Sequence, residues 1–145
     1  MIIVLRKMIK VDEYILDRMI GRIGGETNES GGLIGSSIDG VINEFCYDAG
    51  IDSNGDEYFP DVEMMQLKLK EWNEHGIQFM GIIHSHKSNE SLSGKDIYMG
   101  QKILALNPSM KSILMPVLVL DDQRVCWYSI ERDHNKVCEI ETIIN

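Results

Sequence analysis

Basic side chains are scarce in this 145-residue chain: 14 Lys and Arg stand against 23 Asp and Glu, for a formal net charge of -9. A sequence-independent grip on nucleic acid needs a basic surface, and docking on anionic lipid needs one too, so the charge argues against both. Cysteine is also scarce. Cys46, Cys126 and Cys138 are odd in number, scattered and in no CxxC arrangement. That pattern implies reduced thiols in a cytoplasmic protein and not a disulfide frame. Long hydrophobic runs are missing. The N-terminal "MIIVLRKMIKVDEY" meets charge after five residues, short of a signal-peptide core and far short of the roughly 20 residues that span a bilayer. No repeat or low-complexity tract occurs, and "GRIGGE" lacks the Lys-Ser/Thr of a phosphate-cradling loop.

What is present is a core. The hydrophobic fraction of 43% suits one domain over residues 1–145. "MIIVLRKMIKV" predicts a first strand. "DEYILDRMIGRIGG" places Ile15 or Leu16, Met19, Ile20 and Ile23 at helical spacing, with Asp12 as cap and Gly24-Gly25 as stop. "GGLIGSSIDGVINEFCYDAG" reads as strands with a turn at Asp39-Gly40, and "IDSNGDEYFP" as a loop with a turn at Asn54-Gly55. "DVEMMQLKLKEWNEHG" predicts a second helix capped by Asp61, with a stripe of Val62, Met65 or Gln66, Leu69 and Trp72. "IQFMGIIH" is a buried strand, and "SGKDIYMGQKILALNP" a third helix. "SILMPVLVL", "VCWYSIE" and "KVCEIETII" read as closing strands. Helices alternating with strands, then strands alone, predict an α/β domain with a mixed sheet flanked by helices.

The pleat of a strand sends alternate side chains to opposite faces. In "His84-Ser85-His86" the two imidazoles therefore converge on one side and Ser85 points away. Two converging imidazoles are what two zinc ligands require. Asp96, ten residues on in the first turn of the third helix, can fold back as a third ligand. Three protein ligands leave a fourth position for water, the mark of a catalytic site, and such zinc lowers the pKa of its water to about 7. "Ser93-Gly-Lys-Asp96" also has the form of a helix capping box. The two readings agree, because a cap would fix the orientation of Asp96.

As a set, "His84-Ser-His86 … Ser93-x-x-Asp96" with "Glu29-Ser-Gly-Gly-Leu-Ile-Gly35" upstream resembles the signature of the JAMM (MPN-plus, JAB) metallopeptidases. The resemblance covers roughly Asp12 to Ile130 and implies the fold of that group, with cytidine-deaminase-like layering. It implies that His84, His86 and Asp96 hold Zn2+, that Glu29 is the general base, and that Ser93 helps stabilise the oxyanion. Glu29 is preferred to Glu26 because it adjoins the Gly31-Gly32 strand. The chain departs from the family pattern in three ways. The loop before Ser93 is one residue shorter, Lys87 stands where a proline is usual, and the strand after Glu29 is slightly compressed. These bear on the substrate channel and on the serine's position.

The implied activity is hydrolysis of an amide or isopeptide bond at the extended tail of a ubiquitin-like or sulfur-carrier protein, or of its conjugate. The alternative is an MPN-type binding scaffold with little activity. The late apolar strands suit a homodimer as well as a core. Among the other candidates, His75 is expected to close a helix and His134 to sit in an exposed turn. Cys46 is expected as a buried small hydrophobe, Met64-Met65 as core or interface filler, and Trp72 and Trp127 as packing residues.

Overall fold

The structure, a computed structural model, describes residues 7–51, 57–132 and 136–145. The Asn54-Gly55 turn and His134 lie outside these residues. Strand β1 (Met8–Val11) leads into helix α1 (Glu13–Gly24). Asp12 caps α1 by accepting the Ile15 N–H at 3.0 Å, and Glu13 and Arg22 match the two ends of the helix dipole. Ile15, Met19 and Ile23 recur every fourth residue and are buried.

Strands β2 (Gly31–Ser36), β3 (Val41–Ile42) and β4 (Glu44–Asp48) follow, then α2 (Val62–Glu74), the long strand β5 (Gln78–His86) and α3 (Gly94–Leu106). The remainder is β6 (Ser112–Leu114), β7 (Val117–Val119), β8 (Arg124–Cys126), β9 (Tyr128–Glu131), β10 (Lys136–Glu139) and β11 (Glu141–Ile144). β5 is the spine of the large sheet. On one side it pairs antiparallel with β2, which pairs with β4. On the other side it runs parallel to β6 at Gly81 and to β7 at His84–His86.

Each of the three predicted closing strands is split in two. "SILMPVLVL" breaks at Met115-Pro116, where proline has no N–H to give a ladder. Met115 donates toward β9, to the Tyr128 carbonyl at 2.8 Å, while the Pro116 carbonyl accepts the His84 N–H at 3.2 Å. The sheet forks there: β6 continues to β9 and β10, and β7 to β8. "VCWYSIE" breaks at Trp127, so that β8 and β9 follow the two branches. "KVCEIETII" breaks at Ile140. β10 stays in the large sheet, and β11 joins a small parallel sheet in the order β11-β1-β3.

The large sheet is covered on both faces. Ile34 and Ile83 pack with Ile15, Met19 and Ile23 of α1, while their neighbours Leu33 and Ile82 pack with Met65 and Trp72 of α2 and Leu104 of α3. Continuous apolar runs, rather than alternating ones, are what a doubly covered sheet demands. Two side-chain expectations fail. Val62 is 58% exposed, because it opens α2 at the solvent end of the stripe that Met65 and Trp72 bury. Cys46 is half-buried, on the sheet face toward α2. Both tryptophans are buried in the core, as expected. No helix among the described residues is long and apolar enough to cross a membrane.

Candidate metal centre

His84 and His86 stand at the C-terminal end of β5 and face the α3 side, as the pleat requires. Asp96 reaches them from the first turn of α3. His84 Nε2 and His86 Nε2 lie 3.0 and 3.1 Å from the same carboxylate oxygen, Asp96 Oδ2, and 3.1 Å from each other. Among the described residues this is the one His/Cys/Asp/Glu group whose ligand atoms converge closely enough to hold a metal ion. An ion bonded at about 2.0–2.1 Å to tetrahedral ligands keeps them roughly 3.3–3.4 Å apart, a few tenths of an ångström wider than this triangle.

The chemistry of the set fits a cation. His86 Nδ1 lies 3.0 Å from the backbone carbonyl of Asn89, which can only accept, so Nδ1 carries a proton. In the neutral ring Nε2 is then a lone pair facing the Asp96 carboxylate. Two acceptors at that distance repel unless a proton or a metal ion sits between them. The same conflict sets the directions of the two pKa shifts. The hydrogen bond with Asp96 raises the His86 pKa against the opposing effect of burial. Burial pushes Asp96 up, but hydrogen bonds from His84 and His86 prevail and hold it well below the usual carboxylate range. Binding a metal would satisfy all three atoms at once.

The surroundings hold this triangle rigidly. Asp96 Oδ2 also accepts the Ser93 N–H at 2.8 Å, while Ser93 Oγ accepts the Asp96 N–H at 3.1 Å, which closes the capping box read from the sequence. Ser85, buried on the opposite face of β5, locks the start of β2. Its Oγ accepts the Ser30 N–H at 2.9 Å and donates to the Ser30 carbonyl at 3.2 Å. That latch places Glu29 beside the triangle, where Glu29 Oε2 accepts the Lys87 N–H at 3.1 Å. Burial raises the Glu29 pKa, and the nearby His86 partly offsets it. Glu26, by contrast, is an exposed partner of Arg22. Glu29, His84, His86, Ser93 and Asp96 all line one cleft of about 440 Å3, with Lys87 and Lys95 on its wall. His75 does not line the cleft. His75 bonds the Glu71 carbonyl at the end of α2, and His134 is outside the described residues.

Two residues of the site were not singled out in the sequence. Tyr58 lines the cleft and donates to Asp48 Oδ2 at 2.6 Å. Burial, reinforced by that bond, holds its phenol above the ordinary range and therefore protonated. Their only local signals are a polar-ended aromatic in "EYFPD" and an acid closing the strand "EFCYD". Neither signal points to the histidines.

No protein-family model matches the chain, and no curated protein matches it. Solved structures do. The solution structure of protein DSY2949 from Desulfitobacterium hafniense superposes with a TM-score of 0.72 at 20% identity, covering 95% of this chain and 93% of that one. AF2198, a JAB1/MPN domain protein from Archaeoglobus fulgidus, gives 0.54 at 16% identity over 94% of this chain and 98% of its own. A structure described as JAMM, a metalloprotease-like zinc site in the proteasome and signalosome, gives 0.51 at 14% identity over 94% and 99%. At these identities the shared property is the fold. The chain has an MPN/JAMM-like fold, a mixed sheet with three helices, and carries a His-His-Asp group able to hold a metal ion.

Proposed function

We propose that the protein is a cytoplasmic zinc hydrolase of the JAMM type that cleaves an amide or isopeptide bond at the extended tail of a ubiquitin-like or sulfur-carrier protein. The observation that carries this reading is the convergence of His84 Nε2, His86 Nε2 and Asp96 Oδ2 to within 3.0–3.1 Å beside a half-buried carboxylate, Glu29. A zinc ion bound there would supply Lewis acidity and a water of near-neutral pKa. The chain's own residues supply the rest. Glu29 is not a ligand, and its raised pKa suits a base that takes a proton at its carboxylate and returns it to the leaving amine nitrogen. The Lys87 N–H holds that carboxylate at the rim of the cleft. Ser93 Oγ accepts from Asp96 and keeps its own hydrogen free to donate to the carbonyl oxygen as charge develops there.

The substrate reading rests on shape. The cleft is open, and β4 and β8 each pair on one side only among the described strands, so an extended tail can add beside an edge. The three free cysteines accord with a reducing compartment. The competing MPN-type scaffold needs the centre to be blocked or incomplete. Elemental analysis after purification without added metal tests the proposal. Wild type should carry about one zinc per chain, and the His84→Ala/His86→Ala double variant none. A panel of tailed carrier fusions, small amides, esters and phosphodiesters then names the bond. Zinc without turnover on any of them, unchanged by Glu29→Gln, supports the scaffold instead.

A further inference from the structure

We propose that Tyr58 is the positioning residue that aims His84 at the metal centre, with the buried carboxylate of Asp48 as its tether. The inference rests on the metal-centre reading above. Metal-ligating histidines as a rule give their second ring nitrogen to a hydrogen-bond partner, which fixes the tautomer and the ring orientation. His86 follows the rule through Asn89. His84 does not. It is 2% exposed, yet its Nδ1 finds no partner among the described residues. A ring without that bond turns about its Cβ–Cγ axis unless packing stops it. Two rings pack on His84. His86 meets it edge-on with centroids 4.7 Å apart, and Tyr58 lies nearly parallel to it, at 6.4 Å and 20°. His86 is itself a ligand, so Tyr58 is the supporting wall.

The placement of Tyr58 is built by groups that a simple loop anchor does not need. Asp48 is 3% exposed. Its carboxylate accepts the Gly50 N–H at 2.9 Å and the Asp61 N–H at 3.0 Å, and those two bonds already close the ends of the connection. The third, from Tyr58 Oη at 2.6 Å, fixes the ring. Asp48, Gly31 and His84 form one row across β4, β2 and β5. Tyr58 lies over that row. A Cβ at Gly31 would clash first with the Ile83 carbonyl and also come within 2.9 Å of the Tyr58 ring. One at Gly50, where φ is +84°, would come within 2.7 Å of the Phe59 carbonyl and 3.1 Å of the ring. Two glycines thus make room for a ring whose hydroxyl is tied on one side of Gly31 and whose face meets His84 on the other.

The test titrates metal-free wild type, Tyr58→Phe, Tyr58→Leu and Asp48→Asn with Zn2+ and Co2+ against a chromophoric chelator, with the Tm of each measured separately. Tyr58→Leu removes the wall. It should weaken Zn2+ binding about 10–100-fold, the usual effect of losing support behind a ligand, and change the Co2+ visible spectrum. Tyr58→Phe keeps the ring but loses the tether, so its affinity should fall between those of wild type and Tyr58→Leu. Asp48→Asn, which also weakens the hold on the Gly50 and Asp61 N–H groups, should fall at least as far as Tyr58→Phe. Wild-type affinity and spectrum in Tyr58→Leu, whatever its Tm, overturn the proposal. So does an equal loss in Tyr58→Phe and Tyr58→Leu, which would assign the effect to the hydroxyl's hold on the loop. Should Tyr58→Leu not fold, wild-type affinity and Co2+ spectrum in both Tyr58→Phe and Asp48→Asn are the refuting result. Failure of the wild type to bind either metal overturns the metal centre itself and this role with it. Unchanged binding in the variants overturns the role alone.

Discussion

Replacing Ser93 separates two tasks that meet at Asp96. The Ser93 hydroxyl caps α3 by accepting the Asp96 N–H, while the Ser93 main-chain N–H holds Asp96 Oδ2, the atom that faces both imidazoles. Ser93→Ala removes only the first of these bonds. Loss of a serine cap costs about 1 kcal/mol, within a range of roughly 0.5–2, whereas glycine at the same position costs only a few tenths. For a domain of this size, about 1 kcal/mol lowers Tm by about 3 °C. The expected series is therefore a small fall for Ser93→Ala and almost none for Ser93→Gly, read by calorimetry. Zn2+ affinity should stay within about tenfold of wild type in both, because the main-chain N–H still orients Asp96. Amide turnover should fall about 10²–10³-fold in both, because each lacks the hydroxyl proposed to donate to the oxyanion. Loss of metal binding in Ser93→Gly would refute the division, since the hydroxyl and not the backbone would then be holding the ligand. Equal Tm losses in the two variants would refute the cap.

Zn2+ at a free concentration of 100 times its Kd should stabilise the fold by about 2.7 kcal/mol and raise Tm by roughly 5–10 °C, because the preformed triangle exists only in the folded chain; an unmoved melting curve would contradict it. Glu29→Gln should keep the metal and lose about 10²–10⁴-fold in turnover, and retained turnover would remove Glu29 from proton transfer. Ser85→Ala leaves the buried Ser30 N–H without its side-chain acceptor and should cost about 1–3 kcal/mol in urea unfolding, where an unchanged midpoint would count against the latch. In metal-free protein, Asp96 is held below its ordinary 3.8, so its contribution is complete above that pH and lost as pH falls toward the folded value. His86 is raised above its ordinary 6.5, so its contribution is complete below that pH and lost as pH rises through the folded value. Stability should therefore peak between about pH 3.8 and 6.5. It is best measured in the Glu29→Gln background, because burial raises Glu29 above its ordinary 4.5 and its ionisation opposes folding there. A maximum above pH 8 would contradict the assignment.

Much of the site was legible because its parts are local. Alternation along a strand puts His84 and His86 on one face whatever sheet the strand joins. A serine followed three residues later by an acid closes a capping box within a single helical turn, so the orientation of Asp96 needs no distant partner. The helix caps Asp12 and Asp61 follow from the same short-range chemistry. The closing strands are shorter than the sequence predicts for the opposite reason. Whether "MP", Trp127 and Ile140 end a strand depends on which neighbour each branch of the sheet pairs with, and Val62 is exposed only because of how α2 lies on the sheet.

By itself the sequence determined the histidine pair at the end of a strand, the capped aspartate and the acidic balance of charge. Those rest on pleat, helix capping and composition, which act within a few residues. Only the tertiary structure decided what supports the centre. Strand order brings Asp48, Gly31 and His84 into one row, folds Tyr58 over it, and leaves His84 Nδ1 without a partner among the described residues while the Tyr58 ring lies against the imidazole. It also sets Ser85 on the back of β5 against Ser30, and Glu29 beside the imidazoles across 55 residues of chain. Contacts of that span follow from sheet order and burial, which no spacing of residue types encodes.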